Sequence, residues 1–114
     1  MEEKKFEELQ QLVIKWAEDR NIFEFSNPIK QLTKTQEELD ETMLALGKFT
    51  DAQNQTEKNQ AFLEVIDGIG DMVVTIILLS KMVDVDLVHA LSQAYDVIKD
   101  RKGKMINGLF VKES

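Results

Sequence analysis

Residues 59–83 constrain this chain more than any other stretch. Phe62, Ile66, Ile69, Val73 and Ile76 follow one another at steps of four and three, which is the period of a helix seam and not of a strand. Ser80 interrupts the seam before Val83 resumes it. From Met72 to Leu79 the segment is apolar nearly all round, because a turn of about 100° per residue puts Val74 and Leu78, followed by Met82, opposite the seam. A helix apolar on every side has to be covered on every side. Only three further helices can be read in the chain, so the last wall is easiest to draw from a second copy, and the pattern predicts a homo-oligomer, a homodimer or a homotetramer.

Those other helices follow from the same reasoning. Over about residues 2–20, Phe6, Leu9, Val13 and Trp16 form one apolar stripe. Ser26-Asn27-Pro28 is a start signal, an Asn cap with proline in the first turn, for a helix over about 28–49 with Leu32, Leu39 and Leu46 as its seam and Met43 and Phe49 beside it. Residues 50–58 carry no apolar period and read as an exposed loop. Asp86 caps a last helix over about 87–103, with Leu87, Leu91, Ala94 and Ile98 inward. Residues 104–114 read as a short tail whose Leu109-Phe110-Val111 docks on the body or on a neighbouring chain. With one proline, five glycines and no sustained strand-period alternation, the expectation is an all-α fold: a single domain over 1–114, a four-helix bundle-like subunit completed by homo-oligomerisation.

Composition then narrows the chemistry. The 114 residues carry 21 acidic against 14 basic side chains, a formal net charge of -7, which argues against polymeric nucleic acid as a partner. There is no cysteine and one histidine, so disulfides, thiolate-bound metals and multi-histidine sites within one chain are excluded. Thr75, Ser80 and Lys81 interrupt the apolar run that a membrane helix would need, so no membrane partner is expected. Met-Glu-Glu-Lys-Lys leads into an amphipathic stretch and not into the apolar core of a signal peptide, which makes the cytoplasm the simplest location.

What remains is mainly carboxylates, and some are ordered. Glu38 and Glu41 leave one face of the second predicted helix about a turn apart, with Glu37 beside them. On the third, Glu64, Asp67 and Asp71 fall within an arc of about 60° opposite the seam. Such acids are either a solvated face or, if the two helices present them to a shared cleft, a cage that repels itself unless a cation sits inside. Oxygen ligands without His or Cys favour Mg²⁺ or Mn²⁺.

These residues resemble the MazG-like, all-α nucleoside triphosphate pyrophosphohydrolases, in particular the short phage and bacterial type. The family pattern is Glu-x-x-Glu on one helix and Glu-x-x-Asp on the next. NPIKQLTKTQEELDE carries the first half with Glu38 and Glu41, DGIGDMVV resembles the second with Asp71 at the aspartate, and AYDVIKDRKGKM is similar to the C-terminal end of the short members. The likeness covers roughly residues 16–112. It implies conversion of an NTP or dNTP to the monophosphate and pyrophosphate with Mg²⁺ held by Glu38, Glu41 and Asp71, and Glu37 as an outer ligand or base or else a plain solvated side chain. The departure is Gly68, where the family carries a glutamate. Asp67 or Glu64 stands in from the same side of the helix, and if neither reaches the metal the chain is instead a non-catalytic helical nucleotide-binding or regulatory protein. A pyrophosphatase of phosphoribosyl nucleotides shares the chemistry and differs in substrate.

Substrate candidates are fewer. Lys34 lies one turn before Glu38, and Lys99, Arg101, Lys102 and Lys104 cluster late in the chain; they hold phosphate or complement a helix end. Trp16 and Tyr95 stack on a base or belong to the core. The resemblance places the segment Phe25-Ser26-Asn27 near the nucleoside, which adds Ser26 to the candidates. His89 reads as a surface residue, since no Glu-x-x-His accompanies it.

Overall fold

Asn27 and Asn54 start the two long helices on which everything else is built. The computed structural model describes residues 3–113. The Asn27 side chain accepts from Lys30 N at 2.9 Å and Pro28 opens the first turn of α3 (Pro28–Asp51), a cap that satisfies an otherwise unpaired donor. Asn54 does the same for Glu57 N at the head of α4 (Gln55–Met82), while Glu57 Oε2 accepts from Gln53 N at 2.9 Å. These two bonds wind residues 55–58 into helix, so the connection expected over 50–58 shrinks to three residues. Before them come α1 (Phe6–Asp19) and the single turn α2 (Ile22–Phe25), joined through Asn21, whose φ of 59° is left-handed. Residues 3–5 precede the first helix, and Glu2, where the sequence reading began it, lies outside the described residues.

The described residues gather into two compact units, one ending at Asp84 and the other starting at Val85. In the first, α3 and α4 form an antiparallel hairpin: Gln31 Nε2 donates to Thr75 O at 3.3 Å near one end, and Lys48 meets Glu64 at 3.3 Å towards the other. Their contact line is made of small and polar residues. On α3 it is Gln31, Glu38, Thr42 and Ala45, and on α4 Ala61, Gly68 and Thr75, all buried. The Thr35 hydroxyl donates to Thr75 Oγ1 at 2.8 Å, and that hydroxyl in turn donates to Met72 O at 2.7 Å. At Gly68 the helices touch: a Cβ there would run into Thr42 Oγ1 and come within 3.0 Å of Thr42 Cβ.

This corrects the expected packing. The large apolar seams were expected to make the core, yet Leu32, Leu39 and Leu46 on α3 and Phe62, Ile66, Ile69, Val73 and Ile76 on α4 are all exposed in the single chain. The buried apolar residues are Ala17, Ala45, Ala61, Ile77 and Leu78. On α1, too, the inward residue is Ala17, while Phe6, Leu9 and Trp16 from the expected stripe are exposed. Small residues win these positions because they let backbones approach closely.

The second unit holds α5 (Leu87–Ile98) and a hairpin of β1 (Gly103–Ile106) with β2 (Leu109–Lys112). Asp86 caps α5 as expected, its Oδ1 accepting from Val88 N at 3.0 Å. The helix stops at Ile98, short of Gly103, and the supposed tail is two antiparallel strands in the register Gly103↔Lys112 to Ile106↔Leu109. Asn107 and Gly108 turn the chain at φ 50° and 82°, the left-handed pair of a two-residue hairpin turn. The fold is thus mostly helical with one small two-stranded sheet, and among the described residues no helix is long and apolar enough to cross a membrane.

Candidate functional site between α3 and α4

A groove of about 380 Å³ runs along one side of the α3–α4 hairpin, floored by Ala45 and Gly68 and walled by Glu41, Glu64, Asp67 and Asp71, with Lys48 at one end. Helix phase explains the gathering. Glu41 and Lys48 are seven apart on α3, and Glu64, Asp67 and Asp71 share one arc of α4, so the antiparallel pairing brings both rows to the same side of the contact line. Glu41, Asp67 and Asp71, which helix spacing groups, all line the groove, and Lys48 joins them at a distance of seven from Glu41.

Glu38 sits differently from its neighbours. It lies on the contact line itself, with 8% of its surface exposed. Its Oε1 is 3.6 Å from Lys34 Nζ, while its Oε2 is buried and has no hydrogen-bond partner. A buried carboxylate oxygen without a partner is costly. Around it the negative charge accumulates. Asp71 has its carboxyl held above the usual range, first by partial burial in the groove and then by the charges of Glu38 and Asp67, with Lys34 opposing.

Lys34 spends most of its charge on α3. Its Nζ is 3.2 Å from Glu37 Oε2, and the hydrogen bond and charge of Glu37, then the charge of Glu38, hold its pKa above the ordinary lysine value against some desolvation. Glu37 is exposed and points to this lysine. Glu64 is drawn towards Lys48 at 3.3 Å, which leaves Asp67 as the acid beside Asp71 without an ion-pair partner among the described residues. Gly68 has a packing role: a glutamate side chain there would start inside Thr42. As the side chains stand, no three His, Asp or Glu residues among the described ones converge closely enough to hold a metal ion. The donors that fit a hard divalent cation by chemistry are Glu38, whose second oxygen lacks a partner, and the exposed Glu41, Asp67 and Asp71, whose side chains are not locked by packing.

The remaining candidates are dispersed. Ser26 lines a second cavity, of about 520 Å³, with Asn21, Phe23 and Lys81. Trp16 does not line it; its ring is exposed and carries the Arg20 guanidinium 4.7 Å from its centroid, so one aromatic face is already taken. Tyr95, Lys99, Arg101 and Lys102 belong to the second unit. There Tyr95 is exposed on α5, Lys99 follows the helix with its Nζ 3.5 Å from Asp96, and Arg101 and Lys102 lie in the connection to β1. Beyond the last turn of α5, Arg101 and Lys102 are not placed to complement that helix end as the dipole reading supposed.

Comparison of the chain with protein-family models, with curated proteins and with solved structures finds no match.

Proposed function

We propose that the α3–α4 groove is the site of a Mg²⁺-dependent, MazG-like nucleoside triphosphate pyrophosphohydrolase, converting an NTP or dNTP to the monophosphate and pyrophosphate in the cytoplasm as a homodimer or homotetramer. The observation that carries this reading is the buried, partnerless Oε2 of Glu38 beside the crowded carboxylates of Asp67 and Asp71. A pure solvated face would keep its acids in water, whereas this one desolvates an acid at the helix contact, where a divalent cation would relieve it. Glu38, Glu41 and Asp71 would hold the metal, with Mn²⁺ as an accepted substitute, and Asp67 would take the place of the ligand that Gly68 lacks. An ion held there would supply neutralisation of phosphate oxygens and a lowered pKa for its water.

The chain's own residues do the rest. Lys48 lines the groove and Lys34 stands beside Glu38, so these two lysines are the candidates to orient phosphate oxygens. Glu37, paired with Lys34, serves as an outer acid and base. Purified protein with Mg²⁺ and a panel of NTPs and dNTPs should release pyrophosphate, and Glu38→Gln or Asp71→Asn should abolish release while leaving the assembly intact. No pyrophosphate from any nucleotide would exclude the enzyme.

A second reading has one observation in its favour. Gly68 in place of a ligand and a carboxylate set that does not converge suit a helical nucleotide-binding or regulatory protein without catalysis. Metal-dependent nucleotide binding without turnover would select it.

A further inference from the structure

We propose that the β1–β2 hairpin enters the surface of an anionic lipid bilayer tip first, its turn end among the acyl chains and its lysines among the phosphates. Counted from the Asn107-Gly108 turn, the first two cross-strand pairs, Ile106↔Leu109 and Met105↔Phe110, are apolar throughout, and the next two, Lys104↔Val111 and Gly103↔Lys112, each carry a lysine. Successive pairs point to opposite faces. Each face of the hairpin therefore runs from a large apolar pair near the turn to a lysine near the open end.

That order decides how the hairpin can be covered. A hairpin laid flat on a protein surface buries one face and keeps the other polar. Here the four side chains next to the turn, two to each face, are all exposed, Leu109 the most at 70%, and end-on entry covers both faces at once. Two residues of strand span about 7 Å, which suits the roughly 5–10 Å depth of an interfacial segment and is far too short to cross. This is attachment to a surface, not the membrane helix that Thr75, Ser80 and Lys81 argue against.

Charge names the occupant. Residues 99–112 hold five basic side chains against one acid, Asp100, in a chain whose net charge is -7. Arg101, Lys102, Lys104 and Lys112 have no ion-pair partner among the described residues. Lys104 and Lys112 also border a hollow of about 430 Å³ with Gly103, Val111 and Glu113, on the stretch of hairpin that would lie level with the phosphates once the tip is submerged. Unpaired cations behind an apolar end are what an anionic bilayer attracts, the cations to its headgroups and the end to its chains. A nucleic-acid strand fits less well. It asks for aromatic platforms, whereas only Phe110 is aromatic at this end, and its ring is braced against the strand, a Cβ on Gly103 coming within 2.7 Å of it. The inference stands apart from the chemistry of the groove and survives its failure.

Flotation with vesicles of phosphatidylcholine alone, and with phosphatidylglycerol added, tests it. The wild-type chain should float with the anionic vesicles, stay behind with the neutral ones, and be released as salt rises. Lys104→Glu with Lys112→Glu should weaken the binding by roughly thirtyfold or more, and Leu109→Ser with Phe110→Ser should abolish it; all four positions are exposed, so helical circular dichroism should not change. Since the chain has no cysteine, Leu109→Cys and Lys112→Cys can each carry an environment-sensitive dye, and a spin-labelled acyl chain should quench the first strongly and the second weakly. No flotation with anionic vesicles, or equal quenching at the two positions, overturns the inference, as does capture by a single-stranded oligonucleotide of a chain that ignores the vesicles.

Discussion

The two sides of the α3–α4 hairpin share the same helices and the same seven-residue spacing, yet one collects Glu41, Glu64, Asp67 and Asp71 and the other collects leucine, isoleucine, valine and phenylalanine. Between them runs a narrow line of glycine, alanine, threonine, glutamine and one glutamate. The contact inside the chain is set by which residues are small enough for close approach, and the large apolar side chains are left exposed in the single chain. A carboxylate placed on that narrow line, as Glu38 is, leaves water without leaving its neighbours' charge.

The contact line itself breaks first. Gly68→Glu should cost about 3 kcal/mol or more, since overpacking a tight helix crossing displaces backbone, and Gly68→Ala should also destabilise although alanine is the better helix former by about 1 kcal/mol. Urea unfolding measures both. A Gly68→Ala variant more stable than wild type would mean that Thr42 does not stand where the helices meet.

Removing the buried charge should act in the opposite direction. In the absence of divalent ions, Glu38→Met is expected to stabilise the chain by about 2 kcal/mol, because an apolar side chain replaces a carboxylate oxygen without a partner. Adding Mg²⁺ should raise the melting temperature of the wild type and leave this variant unmoved. Loss of stability on Glu38→Met would show that Oε2 is satisfied in solution.

A smaller effect separates the acid face from an ordinary solvated one by its pH dependence. The Asp71 carboxyl in the folded chain lies above its unfolded value of 3.8, so the folded state binds the proton more tightly. Its contribution to stability is therefore full below pH 3.8 and is lost as pH rises through the folded pKa. Metal-free Asp71→Asn should melt higher than wild type at neutral pH, with the gap closing in acid. A gap of constant size would assign the effect to packing. The smallest change is expected at Glu37→Gln, whose exposed pairing with Lys34 is worth only a few tenths of a kcal/mol and whose loss leaves Lys34 beside Glu38, while its effect on pyrophosphate release should be larger than its effect on melting.

Much of this was legible from residue order alone. Asn27-Pro28 and Asp86 mark helix starts because capping is local, and the acids at 41, 67 and 71 can be grouped because helix phase is regular. The burial of Glu38 was not legible: it sits seven after Gln31 and four before Thr42, a row that looks like a polar surface until Gly68 and Thr75 are set against it. For the same reason the apolar seams looked like a core. The hairpin at Asn107-Gly108 escaped because four residues on each side are too few for alternation to register, although the Asn-Gly pair is itself the signal.

Under the proposed function, Glu38 and the acids across from it hold a divalent cation for a nucleotide. The decisive test is calorimetric titration of Mg²⁺ with a non-hydrolysable nucleoside triphosphate. Binding that requires both components in the wild type and disappears in Glu38→Gln is the predicted result; nucleotide binding equal in the two proteins, or absent from both, would contradict it.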